Sequence, residues 1–326
     1  MKSVIDNEEE RFMKAVVIDH PGNTDVLKLV ERPIPHADAT HSVMKIHAFG
    51  VHRYEVLTRE GGSPTVKFPR VIGVEAVGEI HETTAGSGFK QGQRVITLNG
   101  GFGREFDGSE QEYALVPNKT LYTVDFAGDW VTLAQYPETF VTAWGSIKAL
   151  RLQPGQTMLV RGGTSAVGLA MIKLAKASGL RIVATTRKSE RAAILTAQGA
   201  DDVVLDKDGQ LQTDAMYDGI VDLVGTATIH DSLAHVKVGG TACVVGLLAG
   251  DWVMKDFSPF ELQNRYITDY DSGFVDQTMI DELFHLINHN HIEIPISKVF
   301  PLTEIAAAHD YVMGNSQMGE VIVTND

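Results

Sequence analysis

The six residues Gly163-Thr164-Ser165-Ala166-Val167-Gly168 constrain this chain more than any other stretch. A short apolar run, TMLVRG (157–162), precedes them, and a helical pattern, AVGLAMIKLAKAS (166–178), follows and stops at Gly179. A G-x-G-x-x-G spacing with serine in the middle, set between a strand and a helix, is the arrangement that seats a pyrophosphate. Gly163 permits the tight turn, small Ser165 lets backbone approach an anion, and Gly168 lets the helix pack against the strand. The helix start offers N–H groups to negative charge. A glycine turn that merely packs is the other reading, and the flanking segments decide between the two.

Those segments alternate. LRIVATTR, DDVVLD, YDGIVDLVG and TACVVGLL read as strands, and SERAAILTAQ and IHDSLAHVK as helices. Repeated βαβ units predict a doubly wound parallel sheet with helices on both faces, a Rossmann domain that opens with the helix PETFVTAWGSIKAL. Upstream, KAVVID, LKLVER, VMKIHAFGV, VIGVEAVGEI, RVITL and EYALVP are short apolar runs broken by glycine and proline, which predicts a β-rich domain. Downstream, the helices VDQTMIDELFHLINHN and TEIAAAHDYVM and the strand GEVIVTN are expected to return to that first domain. The α/β chain therefore divides into 1–135, 136–272 and 273–326, with 1–12 as a loosely ordered leader.

Dinucleotide folds that select NAD carry an acid at the end of the second strand to bind the ribose 2′-OH. This chain has Thr185-Thr186-Arg187-Lys188 there, with Arg191 one helical turn on. Hydroxyls and cations without a carboxylate suit a 2′-phosphate, so NADPH is the expected cofactor. Its binding residues are Gly162, Gly163, Thr164, Ser165, Ala166, Val167, Gly168, Thr186, Arg187, Lys188 and Arg191; a solvated cationic loop is the alternative for the last three.

Charge and composition narrow the partners. Against 28 Lys and Arg stand 42 Asp and Glu, a net charge of −14, which repels a nucleic-acid backbone. One cysteine, Cys243, excludes multi-thiolate zinc sites and an internal disulfide. The acidic opening lacks an apolar signal segment and no long uncharged apolar run occurs, so a cytoplasmic protein without membrane contact is expected. In TACVVG, Cys243 reads as a core residue; Glu110 and Glu112 read as a solvated pair, and His289 and His291 as solvated histidines at a helix end.

Across nearly its whole length the chain resembles the zinc-independent quinone oxidoreductase group of the medium-chain dehydrogenase/reductase superfamily. The resemblance is carried by the collinear stretches MKAVVIDHPG, AFGVHRYEVLTREG, FPRVIGVEAVGEI, FKQGQRV, EYALVP, PETFVTAWGSI, GGTSAVGLAMIKLAKASG and VFPLTEIAAAH. It implies a GroES-like β-rich catalytic domain, completed by the C-terminal segment, around a Rossmann dinucleotide-binding domain, with substrate in the cleft between. It also implies cofactor contacts at Thr142, Val224, Gly225, Gly246 and Leu247, and a homodimer through the Rossmann domains near TACVVGLLAGDWVMKDF. Zinc-dependent members hold the metal with a cysteine in the loop matching Phe49 to His52 and a histidine in a G-H-E triplet. Here the loop lacks cysteine and the triplet is Gly73-Val74-Glu75, so no catalytic metal is expected.

Hydride transfer from a nicotinamide to a quinone or an enone is the chemistry that remains. The family segment G-V-N-x-x-D-x-Y-x-R reads here Gly50-Val51-His52-Arg53-Tyr54-Glu55-Val56-Leu57-Thr58-Arg59. His52 replaces the asparagine, and either binds or protonates the acceptor or simply fills a polar position. Tyr54 is a second, weaker catalytic candidate, because alternation in the segment points it away. The changed loop equally suits a non-catalytic NADPH-binding sensor or regulator.

Overall fold

The computed structural model describes residues 11–246, 253–314 and 318–325. In chain order the strands of the first half are β1 Phe12–Val17, β2 Lys28–Pro33, β3 His41–Gly50, β4 Glu75–Glu82, β5 Arg94–Leu98, β6 Tyr113–Pro117 and β7 Leu121–Thr123. The helices here are α1 Arg53–Arg59, α2 Trp130–Leu133 and α3 Pro137–Ala149. The second half holds β8 Thr157–Arg161, α4 Ala166–Ala177, β9 Arg181–Thr186, α5 Ala192–Ala197, β10 Asp202–Lys207, β11 Gln210–Leu211, β12 Tyr217–Asp222, α6 Ile229–Ala234, β13 Val236–Val244 and β14 Tyr266–Asp269. It closes with α7 Gln277–Asn290, β15 Ile296–Pro301, α8 Ile305–Met313 and β16 Glu320–Thr324.

Two seven-stranded sheets result. One has the order β11-β10-β9-β8-β12-β13-β14 and is parallel except for β11. Leaving β11 aside, its six parallel strands follow the Rossmann order 3-2-1-4-5-6, which opens a crevice between β8 and β12 where ligands bind. Met158, Leu159 and Val160 of β8 are fully buried because helices cover both faces. The other sheet runs β15-β16-β3-β4-β5-β7, with β6 also on β3, and β1 and β2 form a separate antiparallel pair.

Helix α3 joins the sheets. Phe140, Val141 and Ala143 pack in one core with Ala48, Val77 and Ile96 of the first sheet and Leu169, Met171 and Ile172 of α4. The return to the first sheet is made by β15 and β16, whereas α7, in the same expected segment, packs on α3 and α4. Strand β1 starts at Phe12 and the Arg11 carbonyl accepts from Ile34 N, so ordered backbone reaches into the expected leader; residues 1–10 lie outside the described ones. No helix among the described residues is long and apolar enough to cross a membrane.

Candidate active site

The glycine turn sits at the C-terminal end of β8, the first strand of the crevice. Ser165 is the N-cap of α4: its Oγ accepts from Gly168 N at 3.1 Å and donates to Gly162 O at 2.9 Å. The left-handed residue of the turn is Gly162 (φ +89°). Gly163 instead packs on β9, where an added Cβ would lie 3.0 Å from Ala184 Cβ; at Gly168 it would lie 2.6 Å from Gly162 O. Strand and helix approach too closely for any side chain, and the first N–H groups of α4, from Ala166 and Val167, have no carbonyl of the helix to bond.

The neighbouring strand ends complete the cradle. Asp222 Oδ1 accepts from Val224 N at 2.9 Å and Gly225 N at 3.0 Å, which ties down the turn after β12. Gly246, after β13, has no room for a Cβ, which would meet Leu223 O at 1.9 Å. Leu247 lies outside the described residues. At the end of β9, Thr185 Oγ1 accepts from Gly162 N at 3.0 Å and Thr186 Oγ1 accepts from Lys188 N at 3.2 Å. Both hydroxyls thus shape the turn that presents the exposed side chains of Arg187 and Lys188; Arg191 is half-buried. These residues fit a nicotinamide dinucleotide: the glycine cradle and helix N-terminus suit its pyrophosphate.

A second cluster lies where the first sheet meets α3. His52, after β3, places Nε2 2.8 Å from Glu75 Oε1 of β4. The same oxygen accepts from Gly50 N at 3.1 Å, and Glu75 Oε2 accepts from Glu138 N at 2.5 Å. A Cβ on Gly50 would sit 2.1 Å from Glu75 Oε1, so glycine is required for this approach. On the other side of the ring, His52 Nδ1 lies 3.7 Å from Glu320 Oε2 of β16. Glu55 of α1 accepts from His52 N at 2.8 Å.

Four carboxyl groups thus surround one imidazole. Burial works against a charge on His52, but the Glu75 and Glu320 carboxylates outweigh it and raise its pKa well above the ordinary histidine value. Burial, reinforced by Glu75, pushes both Glu138 and Glu320 up to about 7. Burial also raises Glu55. The Glu138 carboxylate accepts from Thr142 Oγ1 at 3.0 Å, Ser272 Oγ at 3.2 Å and Asn99 Nδ2. Asn99, after β5, has a left-handed backbone (φ +46°), so a strained residue of the first sheet reaches the Rossmann side.

His52 lies where the first sheet meets α3, and Thr142 joins it through Glu138. Tyr54 does not join the cluster through its hydroxyl, which accepts from Ser63 at 3.0 Å, and its ring lies under Arg104. The alternation argument fails there because residues 53–59 form helix α1 rather than a strand. Glu110 is a correction: it is fully buried and its Oε1 lies 2.9 Å from His309 Nε2 of α8, so it is no solvated partner of Glu112. Glu55, Glu75, Glu138, Asn99, Ser272 and Glu320 were not singled out from sequence. Glu75 was visible in its triplet and Glu138 beside Pro137 at a helix start; Glu320 carried no signal. Among the described residues, no group of three or more His, Cys, Asp or Glu is arranged to hold a metal ion. The donor set does not fit zinc: Val74 cannot ligate, and His52 Nε2 is engaged by Glu75.

The alcohol dehydrogenase GroES-like domain family matches residues 38–126, and the zinc-binding dehydrogenase family matches 198–323. The quinone oxidoreductase of Homo sapiens is 30% identical over 251 residues, 73% of this chain and 74% of its own length. The acryloyl-coenzyme A reductase of Metallosphaera sedula is 28% identical over 256 residues, 72% of this chain and 76% of its own. A solved quinone oxidoreductase structure from Coxiella burnetii superposes with a TM-score of 0.85 at 22% identity, covering 97% of this chain and all of that one. The chain belongs to the quinone oxidoreductase family of the medium-chain dehydrogenase/reductase superfamily.

Proposed function

We propose that this oxidoreductase uses NADPH to reduce a quinone or an α,β-unsaturated carbonyl without a metal. The observation that carries the reading is the pairing of a glycine cradle with an acid-free β9 end, where Thr186, Arg187 and Lys188 stand in place of the carboxylate that selects NAD. Gly162 to Gly168 would hold the pyrophosphate, Arg187, Lys188 and Arg191 the 2′-phosphate, and Thr142, Val224, Gly225 and Gly246 the nicotinamide half. When bound, NADPH supplies a hydride. His52, its charge favoured by Glu75 and Glu320, would bind the acceptor oxygen and give it a proton. Relatives named for quinone and for acryloyl-coenzyme A reduction support an activated, electron-poor acceptor.

Fluorescence titration with NADPH and NADH, followed by a panel of quinones and enones, tests this. Tighter NADPH binding with acceptor-dependent oxidation is expected, and Arg187→Ala with Arg191→Ala should cost about tenfold in NADPH affinity while sparing NADH. Binding without turnover on any acceptor would instead favour a cofactor sensor. An unchanged cofactor preference in the double variant would remove the phosphate site.

We also propose a homodimer through the Rossmann sheet. Its outer strand β14 carries Tyr266, 63% exposed, and Val238 on adjacent β13 is 71% exposed. Among the described residues no strand lies beyond β14, and an edge with exposed apolar side chains favours pairing with a second copy. Light scattering should give twice the chain mass; the monomer mass would refute it.

A further inference from the structure

Glu320 is placed with unusual care for a carboxyl at the start of a strand. Gly319 precedes it in a left-handed conformation (φ +99°), and a Cβ there would sit 1.8 Å from Pro295 O, so only glycine permits the backbone that delivers Glu320. The side chain is 2% exposed. Its carboxyl interacts with the Thr139 hydroxyl, but neither Oε1 nor that hydroxyl completes a normal hydrogen bond among the described residues, and its Oε2 stands 3.7 Å from His52 Nδ1. A buried carboxyl serving structure alone would have its oxygens satisfied, because an unmet acceptor costs about 1–3 kcal/mol.

The two nitrogens of His52 differ in the same sense. Nε2 is committed to Glu75, whose oxygens are also held by Gly50 N and Glu138 N. No side-chain hydrogen bond holds Nδ1; the His52 side chain faces the Glu55 N–H at the start of α1, and Glu320 is the carboxyl beside it. We propose that Glu320 acts through His52 as a positioning residue, holding the ring doubly protonated with Glu75 and restoring the proton that Nδ1 gives to the reduced acceptor. The inference rests on the reductase reading.

The step balances. The acceptor that has taken a hydride is an anion. The His52 Nδ1–H bond breaks and an O–H or C–H bond forms on the acceptor; a Glu320 O–H bond then breaks as Nδ1–H re-forms, and solvent reprotonates Glu320. The groups facing this site are Glu55 on α1, Glu75 on β4, and Glu138 and the Thr139 hydroxyl on α3. Burial and the Glu75 charge hold Glu320 near 7, so it can carry a proton at neutral pH.

Glu320→Gln keeps the shape and removes the titrating proton. Histidine ¹⁵N NMR of the NADPH-loaded protein, with His52 assigned through His52→Asn, should show an imidazolium at pH 7. In Glu320→Gln its titration midpoint should fall by about 1 unit or more. Turnover should drop ~10-fold or more with KM for NADPH unchanged, and the fall of kcat as pH rises through about 7 should vanish. Glu320→Asp, which keeps the carboxyl, should restore the pH break, and stands in if the glutamine variant does not fold. An unmoved His52 midpoint with an unmoved pH profile overturns this inference and leaves the reductase reading intact. Wild-type protein that binds NADPH yet reduces no acceptor overturns the reading and the proton supply together.

Discussion

Arg161, the last residue of β8, is fully buried just before the glycine turn. Its guanidinium donates to Asp206 at 2.7 and 3.0 Å, to Ser232 Oγ at 2.9 Å and to Thr228 O at 3.0 Å, and it pairs with Asp231 at 2.8 Å. A cation inside a Rossmann core is tolerable only with such saturation, and removing one partner of a buried pair strands the others. Arg161→Met should therefore destabilise the protein by about 3–5 kcal/mol in urea unfolding; a loss under about 1 kcal/mol would show that Asp206 and Asp231 are readily solvated. None of this was legible in TMLVRG, which reads as a plain apolar strand, because the partners lie 45 to 71 residues away. Glu320 hid for the same reason. Gly168 and Gly246 were legible, since a glycine's need is written in local spacing and in the resemblance.

Elements with a sustained apolar run or a helical stripe were read well. The strands β8, β9, β10, β12 and β13 and the helices α3, α4 and α7 fall where periodicity and stop signals place them, with Gly179 (φ +79°) ending α4 as expected. Short elements were missed. Helix α1 has two turns and follows β3 directly, so its seven residues could not declare a period. Strand β11 is two residues long, joined to β10 through Asp208 and Gly209, both left-handed, which is the Asp-Gly hairpin signal that the sequence contains. Strand β14 stands at the edge with Tyr266 exposed, so it lacks the apolar run that marked its neighbours. The cluster around His52 draws on β4, α1, α3 and β16, and such a meeting of four elements is a property of the packing.

At the scale of the molecule, the cluster sets a pH signature. The folded values of Glu138 and Glu320 lie at about 7 against an ordinary 4.5, so between these limits the folded state binds more protons than the unfolded one. Stability from these groups falls as pH rises through that window. His52, raised, adds stability that is complete below about 6.5 and is lost as pH rises from there through its higher folded value. Asp129, lowered by its Thr132 hydrogen bonds, and Asp201 and Asp218, which burial raises but backbone hydrogen bonds and Lys176 and Lys237 lower further, lose their contribution only in acid, outside the window. Calorimetry should show the melting temperature falling by ~2–5 °C between pH 5.5 and pH 8; a flat or rising trend would contradict the cluster's electrostatics. The topology has a temporal side as well. Asn325 donates to Ile46 O, 279 residues earlier, and β16 pairs with β3 beside it. A ribosome delivers every strand of the parallel sheet before it delivers Glu320, so the nascent chain can fold its nucleotide cradle first. The ring of carboxyls around His52 closes only with β16, after the glycine turn and the whole parallel sheet around it are complete.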